Sequence, residues 1–162
     1  MHKIPTISYN DLKNTNKDVL EFLTLSLENN GFFVINNHPI DLQLISNAFQ
    51  IAEDMFNLPF ETKQKYHVPG TNGARGYTPY GIETALNEKV ADQKEFWHQG
   101  STSNTELMPN IYVDEIDNFK DLDTLYKEFE MMGVEILKAF ANFNLPYNTD
   151  ISDSAQNGNS IL

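Results

Sequence analysis

Apolar and polar positions along the chain follow two periods, and these periods predict its helices and strands. Apolar stripes at helical spacing predict three helices, over residues 16–30, 41–57 and 122–143. Short apolar runs predict three strands, at residues 4–8, 32–36 and 94–100. The continuous run at 32–36 is typical of a buried strand. Helical residues dominate this pattern, so the expected class is α+β, mostly helical with a few short strands.

Local capping signals place the ends of these elements. Thr15 is a candidate N-cap of the first helix, and Gly31 ends that helix as a left-handed cap. Asp41 caps the second helix, which ends near Pro59 and is followed by another short helix. The segments 9–16 and 67–81 are rich in turn residues and are predicted to be turn and loop.

Composition narrows the classes of function. The chain has 162 residues, no cysteine and a net charge of −12, so disulfides and thiolate metal sites are excluded. Such an acidic surface repels nucleic acid and anionic membranes, and neither is an expected partner. An apolar signal region and a run of membrane-spanning length are both missing from the sequence, which predicts a cytoplasmic protein.

The stretch "ARGYTPYGIETA", residues 74–85, contains Arg75, the one arginine among 11 basic residues. Its glycines permit close approach of the backbone, Tyr77 and Tyr80 offer flat apolar surfaces, and a guanidinium matches a carboxylate. A surface loop with one structural ion pair is the alternative. None of the four histidines begins a His-x-Asp or His-x-Glu, and a ligand role for any of them is the less favoured reading.

Five segments in order resemble the N-terminal region of one enzyme family. They are "IPTIS", "ENNGFFVINNH", "AEDMFNLPFETKQKY", "ARGYTPYG" and "ADQKEFWHQG", spread over residues 4–100. Together they resemble the isopenicillin N synthase-like family of non-haem Fe(II)- and 2-oxoglutarate-dependent oxygenases, most closely its bacterial members. One turn departs from the pattern, since Pro39 stands where the family often has glycine.

The resemblance implies an architecture that this sequence covers in part. Residues 1–120 match the N-terminal domain, and 121–162 match a long helix that leads into a double-stranded β-helix core. That core supplies the His-x-Asp and the Arg-x-Ser that hold Fe(II) and 2-oxoglutarate, and neither motif occurs here. The chain is thus expected to be the front part of an oxygenase, inactive alone and binding neither cofactor. The alternatives are a stand-alone binding or interaction module and an inactive remnant of such an enzyme.

The resemblance also places the 74–85 stretch at the mouth of the iron site. It implies that Arg75, Tyr77, Tyr80 and Glu83 bind a small-molecule primary substrate and form one wall of its pocket. No catalytic or metal-binding residue is expected within these 162 residues. Without the β-helix core, the apolar face of helix 122–143 is expected to be exposed and to favour self-association.

Overall fold

The computed structural model describes residues 4–14, 16–71, 73–84, 89–103 and 108–141. Its strands are β1 (Thr6–Ser8), β2 (Val34–Asn36), β3 (Gly76–Thr78) and β4 (Phe96–His98). Its helices are α1 (Tyr9–Lys13), α2 (Lys17–Asn30), α3 (Leu42–Asn57), α4 (Phe60–Gln64) and α5 (Asp121–Ala141). Strands β1 and β2 pair in parallel, and β3 and β4 pair antiparallel. The predicted α+β class, mostly helical with short strands, is confirmed.

The described residues form two compact units. The first consists of residues within 1–40 and 129–158, and the second lies mainly within 41–128. The predicted boundary at residue 120 follows sequence resemblance rather than spatial contact, and it stays a prediction.

The first unit is built around the fully buried side chains of Leu12 and Leu23. Ile7 from β1 and Ala139 from α5 complete this core, and Phe33 packs against Phe140 with ring centroids 6.1 Å apart. The core therefore joins the beginning of the described chain to the last turns of α5.

Two local predictions fail within this unit. Residues 9–13 form α1 rather than a turn, because the Ser8 hydroxyl accepts a hydrogen bond from the Asn10 amide and Leu12 is buried. The strand at 34–36 is half-exposed rather than buried. Its alternate residue Ile35 packs against the core while Val34 faces solvent, as expected for a strand with one face covered.

The helix ends follow local signals closely. The side chain of Asn16 caps α2 by accepting from the amides of Asp18 and Val19 at 3.0 and 3.1 Å; the candidate cap Thr15 lies outside the described residues. Gly31 has φ 78° and ends α2 as predicted. The predicted cap of α3 is also confirmed, since Asp41 accepts from the amide of Gln43 at 2.8 Å.

The second unit has its own apolar core. Its buried members are Ile51, Met55, Tyr66, Tyr77, Val113, Ile116, Phe119 and Leu122. Trp97 of β4 packs against this core, and its ring lies edge-on to Phe119 with centroids 4.9 Å apart. Strand β3 thus lies against the core although it falls within the segment predicted to be loop, because Tyr77 contributes a large buried ring.

The apolar side chains of α5 are partly buried and partly exposed. Along that helix Leu122, Leu125, Tyr126 and Val134 are buried, whereas Phe129 and Met131 are partly exposed. The most exposed large side chains include Leu42 and Phe49 of α3, at 72% and 75%. Self-association through an apolar helix face stays a prediction. Within the described residues, none of the helices has the length and apolar character needed to cross a membrane.

A pair of leucines on α2 tests the core of the first unit. Leu23 is fully buried, whereas Leu25 is 48% exposed. We expect Leu23→Ala to lower the free energy of unfolding by about 2–5 kcal/mol, because it leaves a cavity. The matched variant Leu25→Ala should change it by no more than about 0.5 kcal/mol. Urea denaturation of both variants is the measurement, and equal losses would contradict the assigned burial.

Candidate functional site

The segment predicted to bind substrate includes strand β3, which pairs with β4. The register joins Gly76 to His98, Tyr77 to Trp97 and Thr78 to Phe96. Gly76 has φ 72°, and a Cβ atom there would lie 2.6 Å from the carbonyl oxygen of Tyr66. Any other residue would combine a strained backbone with a main-chain clash. The glycine therefore lets β3 pass close to residue 66.

A buried polar cluster joins this strand pair to α4. The Tyr77 hydroxyl donates to Oε2 of Glu95 at 2.5 Å. The Lys63 Nζ donates to Oε1 and Oε2 of Glu95 at 3.0 and 2.8 Å, and to the carbonyl oxygen of Phe56 at 2.9 Å. The side chains of Lys63 and Glu95 are only 9% and 12% exposed. We call Lys63, Tyr77 and Glu95 the buried cluster.

The ionisation of this cluster follows from its hydrogen bonds. Burial alone would raise the pKa of Glu95, but the hydrogen bonds from Lys63 and Tyr77 outweigh it, and the pKa lies below its ordinary value. Burial and then the hydrogen bond to Glu95 raise the pKa of Tyr77. The Tyr80 hydroxyl also helps to lower the pKa of Glu95. The cluster thus holds a carboxylate, an ammonium and a neutral phenol at neutral pH.

Tyr80 and Glu83 lie after β3, where the loop turns outward. Tyr80 is 55% exposed. The amide of Gly81 donates to the carbonyl of Asp92 at 3.2 Å, and the amide of Asp92 donates to the carbonyl of Glu83 at 2.8 Å. The Nζ of Lys94 bridges Oε2 of Glu83 at 2.5 Å and Oδ2 of Asp92 at 3.2 Å. These contacts hold the two ends of the loop together.

Arg75 lies inside the unit rather than at its surface. It is 3% exposed, and its Nη1 donates to the carbonyl oxygen of Ala74 at 2.6 Å. Its guanidinium lies against Gly100, where an added Cβ atom would be 2.0 Å from Cζ. Among the described residues it forms no ion pair. The alternative of a structural ion pair therefore has no support within the described part of the chain.

A second polar cluster fixes the chain that follows β4. The Asn110 side chain accepts from the amide of Gly100 at 2.8 Å and donates to its carbonyl at 2.7 Å. The Asp123 carboxylate of α5 accepts from Gln99 at 2.6 Å, from Asn110 at 2.9 Å and from Tyr112 at 2.7 Å. Burial and then the bond to Asp123 raise the pKa of Tyr112 to about 12. Gln99, Gly100, Asn110 and Tyr112 are thereby tied to the first turn of α5.

The sequence interpretation found the loop but gave no role to the residues that support it. Lys63 and Glu95 appear in it only as parts of the resemblance, although "ETKQK" and "KEFW" each place a charge beside apolar positions. Asn110 and Asp123 carried no signal, because each was one of many asparagines and aspartates in an acidic chain. A charged residue inside an otherwise apolar stretch is the signal that could have found Lys63 and Glu95.

The histidines of this unit take structural contacts. The Nδ1 of His67 lies 3.0 Å from the Tyr77 carbonyl oxygen, and the Nδ1 of His98 lies 2.5 Å from the Gly73 carbonyl oxygen. The ring of His98 also packs against that of Phe96, with centroids 4.7 Å apart. Across the described residues, no three histidine or acidic side chains lie close enough together to hold a metal ion. These residues do not fit an Fe(II) site.

The arrangement can therefore present two side chains to a ligand directly. Tyr80 offers a half-exposed ring and Glu83 a half-exposed carboxylate, and both follow strand β3. Tyr77 and Arg75, in contrast, are buried. Functional residues commonly lie on loops that hydrogen bonds attach to regular elements, and the contacts of Gly81, Asp92 and Lys94 attach this loop in that way.

Comparison with known proteins defines the class of fold. A putative 2OG-Fe(II) oxygenase family protein from Caulobacter crescentus is 33% identical with a TM-score of 0.72, over 88% of this chain and 49% of that one. The 1-aminocyclopropane-1-carboxylate oxidase of Dictyostelium mucoroides is 27% identical over 90% of this chain and 44% of its own length. The 2-oxoglutarate-dependent dioxygenase caaD of Aspergillus niger is 31% identical over 60% of this chain and 32% of its own length. The fold is that of the front half of such oxygenases.

The family itself is established over most of the chain. Residues 4–115 match the model of the N-terminal domain of the non-haem dioxygenase in morphine synthesis. The chain belongs to this non-haem dioxygenase N-terminal family, which confirms the resemblance read from the five segments. It spans about half the length of the solved relative and less than half of the two curated ones.

A single substitution tests the buried cluster. We expect Glu95→Gln to lower the free energy of unfolding by about 3–5 kcal/mol, because it leaves the Lys63 ammonium buried without a counter-ion. The difference between the parent chain and the variant should shrink as pH falls. The pKa of Glu95 is lowered from 4.5 on folding, so its stabilisation is present above about pH 4.5 and is lost as pH falls through the folded value.

Denaturation at a series of pH values measures both effects. Glu83→Gln is the matched control, since it breaks a half-exposed pair with Lys94 and should cost far less. A Glu95→Gln variant as stable as the Glu83→Gln variant, or a difference from the parent chain that does not change between pH 7 and pH 3, would refute the assigned role of the cluster.

Proposed function

We propose that this chain is the N-terminal part of a 2-oxoglutarate- and Fe(II)-dependent oxygenase that oxidises a small molecule. The family match over residues 4–115 carries this proposal. The Fe(II) and 2-oxoglutarate sites would lie in the catalytic half that the relatives possess, since no three histidine or acidic side chains of the described residues are placed together to hold a metal ion. On this proposal the chain supplies shape and contacts to the substrate rather than the reacting centre.

The contribution of the chain would be one wall of the substrate pocket, formed by the loop after β3. Three observations support this assignment. Tyr80 and Ile82 expose apolar surface, Glu83 exposes a carboxylate, and the loop that carries them is fixed at its ends by Lys94 and by two backbone hydrogen bonds. Exposed aromatic and charged groups on a held loop are suited to contact a ligand, because binding then costs little ordering entropy.

The name of one relative supports the proposal that the substrate is small. One is named for the oxidation of 1-aminocyclopropane-1-carboxylate, a small amino acid. We infer by analogy that the substrate of the enzyme containing this chain is also a small organic molecule.

The coding sequence provides the first test of the proposal. We expect the reading frame to continue past codon 162 into a segment with a His-x-Asp motif, a later histidine and an Arg-x-Ser motif, the residues that the family resemblance requires. Reading the genomic sequence downstream is the measurement. A stop codon directly after Leu162 would contradict the proposal and favour a stand-alone binding module or an inactive remnant.

Substitutions in the loop test the pocket wall in the complete enzyme. We expect Tyr80→Ala and Glu83→Gln each to weaken binding of the primary substrate by about tenfold, because each removes one apolar or polar contact worth roughly 1–2 kcal/mol. The affinity of the enzyme for 2-oxoglutarate should stay unchanged. A larger fraction of the 2-oxoglutarate consumed should yield no oxidised substrate, because the substrate is bound less often.

Phe60→Ala is the matched control. Phe60 is 56% exposed, like Tyr80, but it begins α4 and lies outside the loop. Removal of the Phe60 ring should change neither the affinity for the primary substrate nor the ratio of product formed to 2-oxoglutarate consumed. If Tyr80→Ala behaves like Phe60→Ala and Glu83→Gln binds substrate normally, the loop is not a wall of the pocket.

A further inference from the structure

Helix α3 carries apolar side chains on two opposite sides. Ile51 and Met55 are buried in the core of the second unit. Leu42 and Phe49, about two turns apart on the other side of the helix, are mostly exposed. Ser46 is exposed between them. We call Leu42, Ser46 and Phe49 the outer face of α3, and this face has no cover among the described residues.

The outer face is also free of charge. Residues 42–52 include no acidic or basic side chain, although charged residues make up 21% of the sequence. Gln43 and Gln50 flank the face as neutral amides, and their Nε2 atoms donate to Oδ1 of Asn47 and Asp54 at 2.9 and 3.0 Å. An apolar centre that lacks charge and has a polar rim is typical of interfaces between proteins.

The net charge of the chain indicates which partner fits this face. A basic protein would be attracted to an acidic surface, such as the exposed carboxylates within residues 113–123, rather than to a neutral one. A second copy of the chain carries the same charge of −12, so it approaches at least electrostatic cost where charge is absent. A neutral apolar face is also complementary to itself, as a two-fold symmetric interface requires. These points favour a second copy.

A different surface suits the catalytic half of the proposed enzyme. Strands β1 and β2 form a parallel pair, and parallel sheets normally have both faces covered. Ile4, Phe32 and Val34 lie in or next to these strands and are about half-exposed. The first unit thus offers its own apolar surface for a further part of the enzyme, and the outer face of α3 belongs to the second unit.

We propose that the outer face of α3 is a homodimerisation site, where two copies pack α3 against α3 in antiparallel orientation about a two-fold axis. In this dimer Phe49 of each copy lies against Leu42 of the other. Ser46 lies close to the axis, where a small side chain lets the two helices approach each other. The inference goes beyond the proposed function and does not depend on it.

The antiparallel orientation follows from the position of Glu53. This residue is exposed one turn after Phe49, near the end of the outer face. A parallel pair of helices would bring the Glu53 carboxylates of the two copies together, and like charges in contact are destabilising. The antiparallel pair separates them, since each then lies near the beginning of the other helix.

The size and the charge of the contact define how the dimer should behave. Three turns of one helix bury less than the roughly 1,200 Å² of a standard interface, so we expect a weak dimer with a dissociation constant of about 10–100 μM. Salt should tighten this dimer, because it screens the repulsion between two acidic chains. A contact made by opposite charges would instead be weakened by salt.

Sedimentation equilibrium of the 162-residue chain at low and high salt measures both properties. We expect Phe49→Glu to raise the dissociation constant at least about a hundredfold, because each dimer would bury two unpaired charges. Val90→Glu is the matched control, since Val90 is also 75% exposed but lies outside α3. It adds the same charge and should change the dissociation constant by less than about threefold. Both variants should keep the melting temperature of the parent monomer, because both positions are exposed.

A mixing experiment tests the orientation. Phe49→Lys and Leu42→Glu should each weaken the homodimer, because each places a charge against an apolar side chain. A mixture of the two variants should form a heterodimer more tightly than either variant alone forms a homodimer. In the antiparallel arrangement the introduced lysine of one copy meets the introduced glutamate of the other, and the second Leu42–Phe49 contact is kept. In a parallel pair the two introduced charges would not meet.

Three results would overturn the proposal. They are a parent chain that stays monomeric at about 500 μM in high salt, a dimer that Phe49→Glu and Val90→Glu weaken equally, and a mixture that associates no more tightly than the separate variants. The complete enzyme gives a further decision. If it is monomeric and Phe49→Glu lowers its melting temperature, the catalytic half covers the outer face and the homodimerisation site is excluded.

Discussion

The second unit depends on one buried ion pair between residues far apart in the sequence. Lys63 and Glu95 lie 32 residues from each other, and their contact joins the end of the α3–α4 segment to the start of β4. Two charges so well shielded from water are stable only when every donor and acceptor has a partner. Here the Phe56 carbonyl accepts a hydrogen bond from the Lys63 ammonium, and the Tyr77 hydroxyl donates a further hydrogen bond to the carboxylate. The hydrogen bonds of this ion pair therefore fix the position of β3 and of the loop that follows it.

The same contact explains why the loop can be both exposed and ordered. Tyr77 is anchored through its hydroxyl, and the chain leaves the core only after Thr78. The outward residues Tyr80 and Glu83 are therefore two and five positions beyond a buried strand. The ion pairs of Lys94 with Glu83 and Asp92 fix the far end of the loop. Few degrees of freedom remain between the core and the side chains that would meet a ligand, which lowers the entropy lost on binding.

Sequence reasoning succeeded where a signal is local and failed where it is not. Gly31 and Asp41 mark helix ends through the conformation and the hydrogen bond of a single residue, and both were predicted. The order of five family segments was also sufficient to identify the N-terminal domain. The burial of Arg75 could not be predicted, because a glycine-rich segment with a charge is typical of a surface loop and its neighbour Gly100 is 25 positions away. The cluster around Asp123 was equally hidden, since hydrogen bonds between distant polar residues leave no periodicity in the sequence.

Asn110 makes one segment of the chain sensitive to chemical ageing of the protein. Its side-chain amide accepts a hydrogen bond from the amide of Gly100 and donates to the Gly100 carbonyl and to the carboxylate of Asp123. A carboxylate at this position would keep the acceptor but lose both donors, and it would place a second negative charge beside Asp123. Deamidation of Asn110 would therefore release Gly100 and weaken the contact between this segment and the first turn of α5.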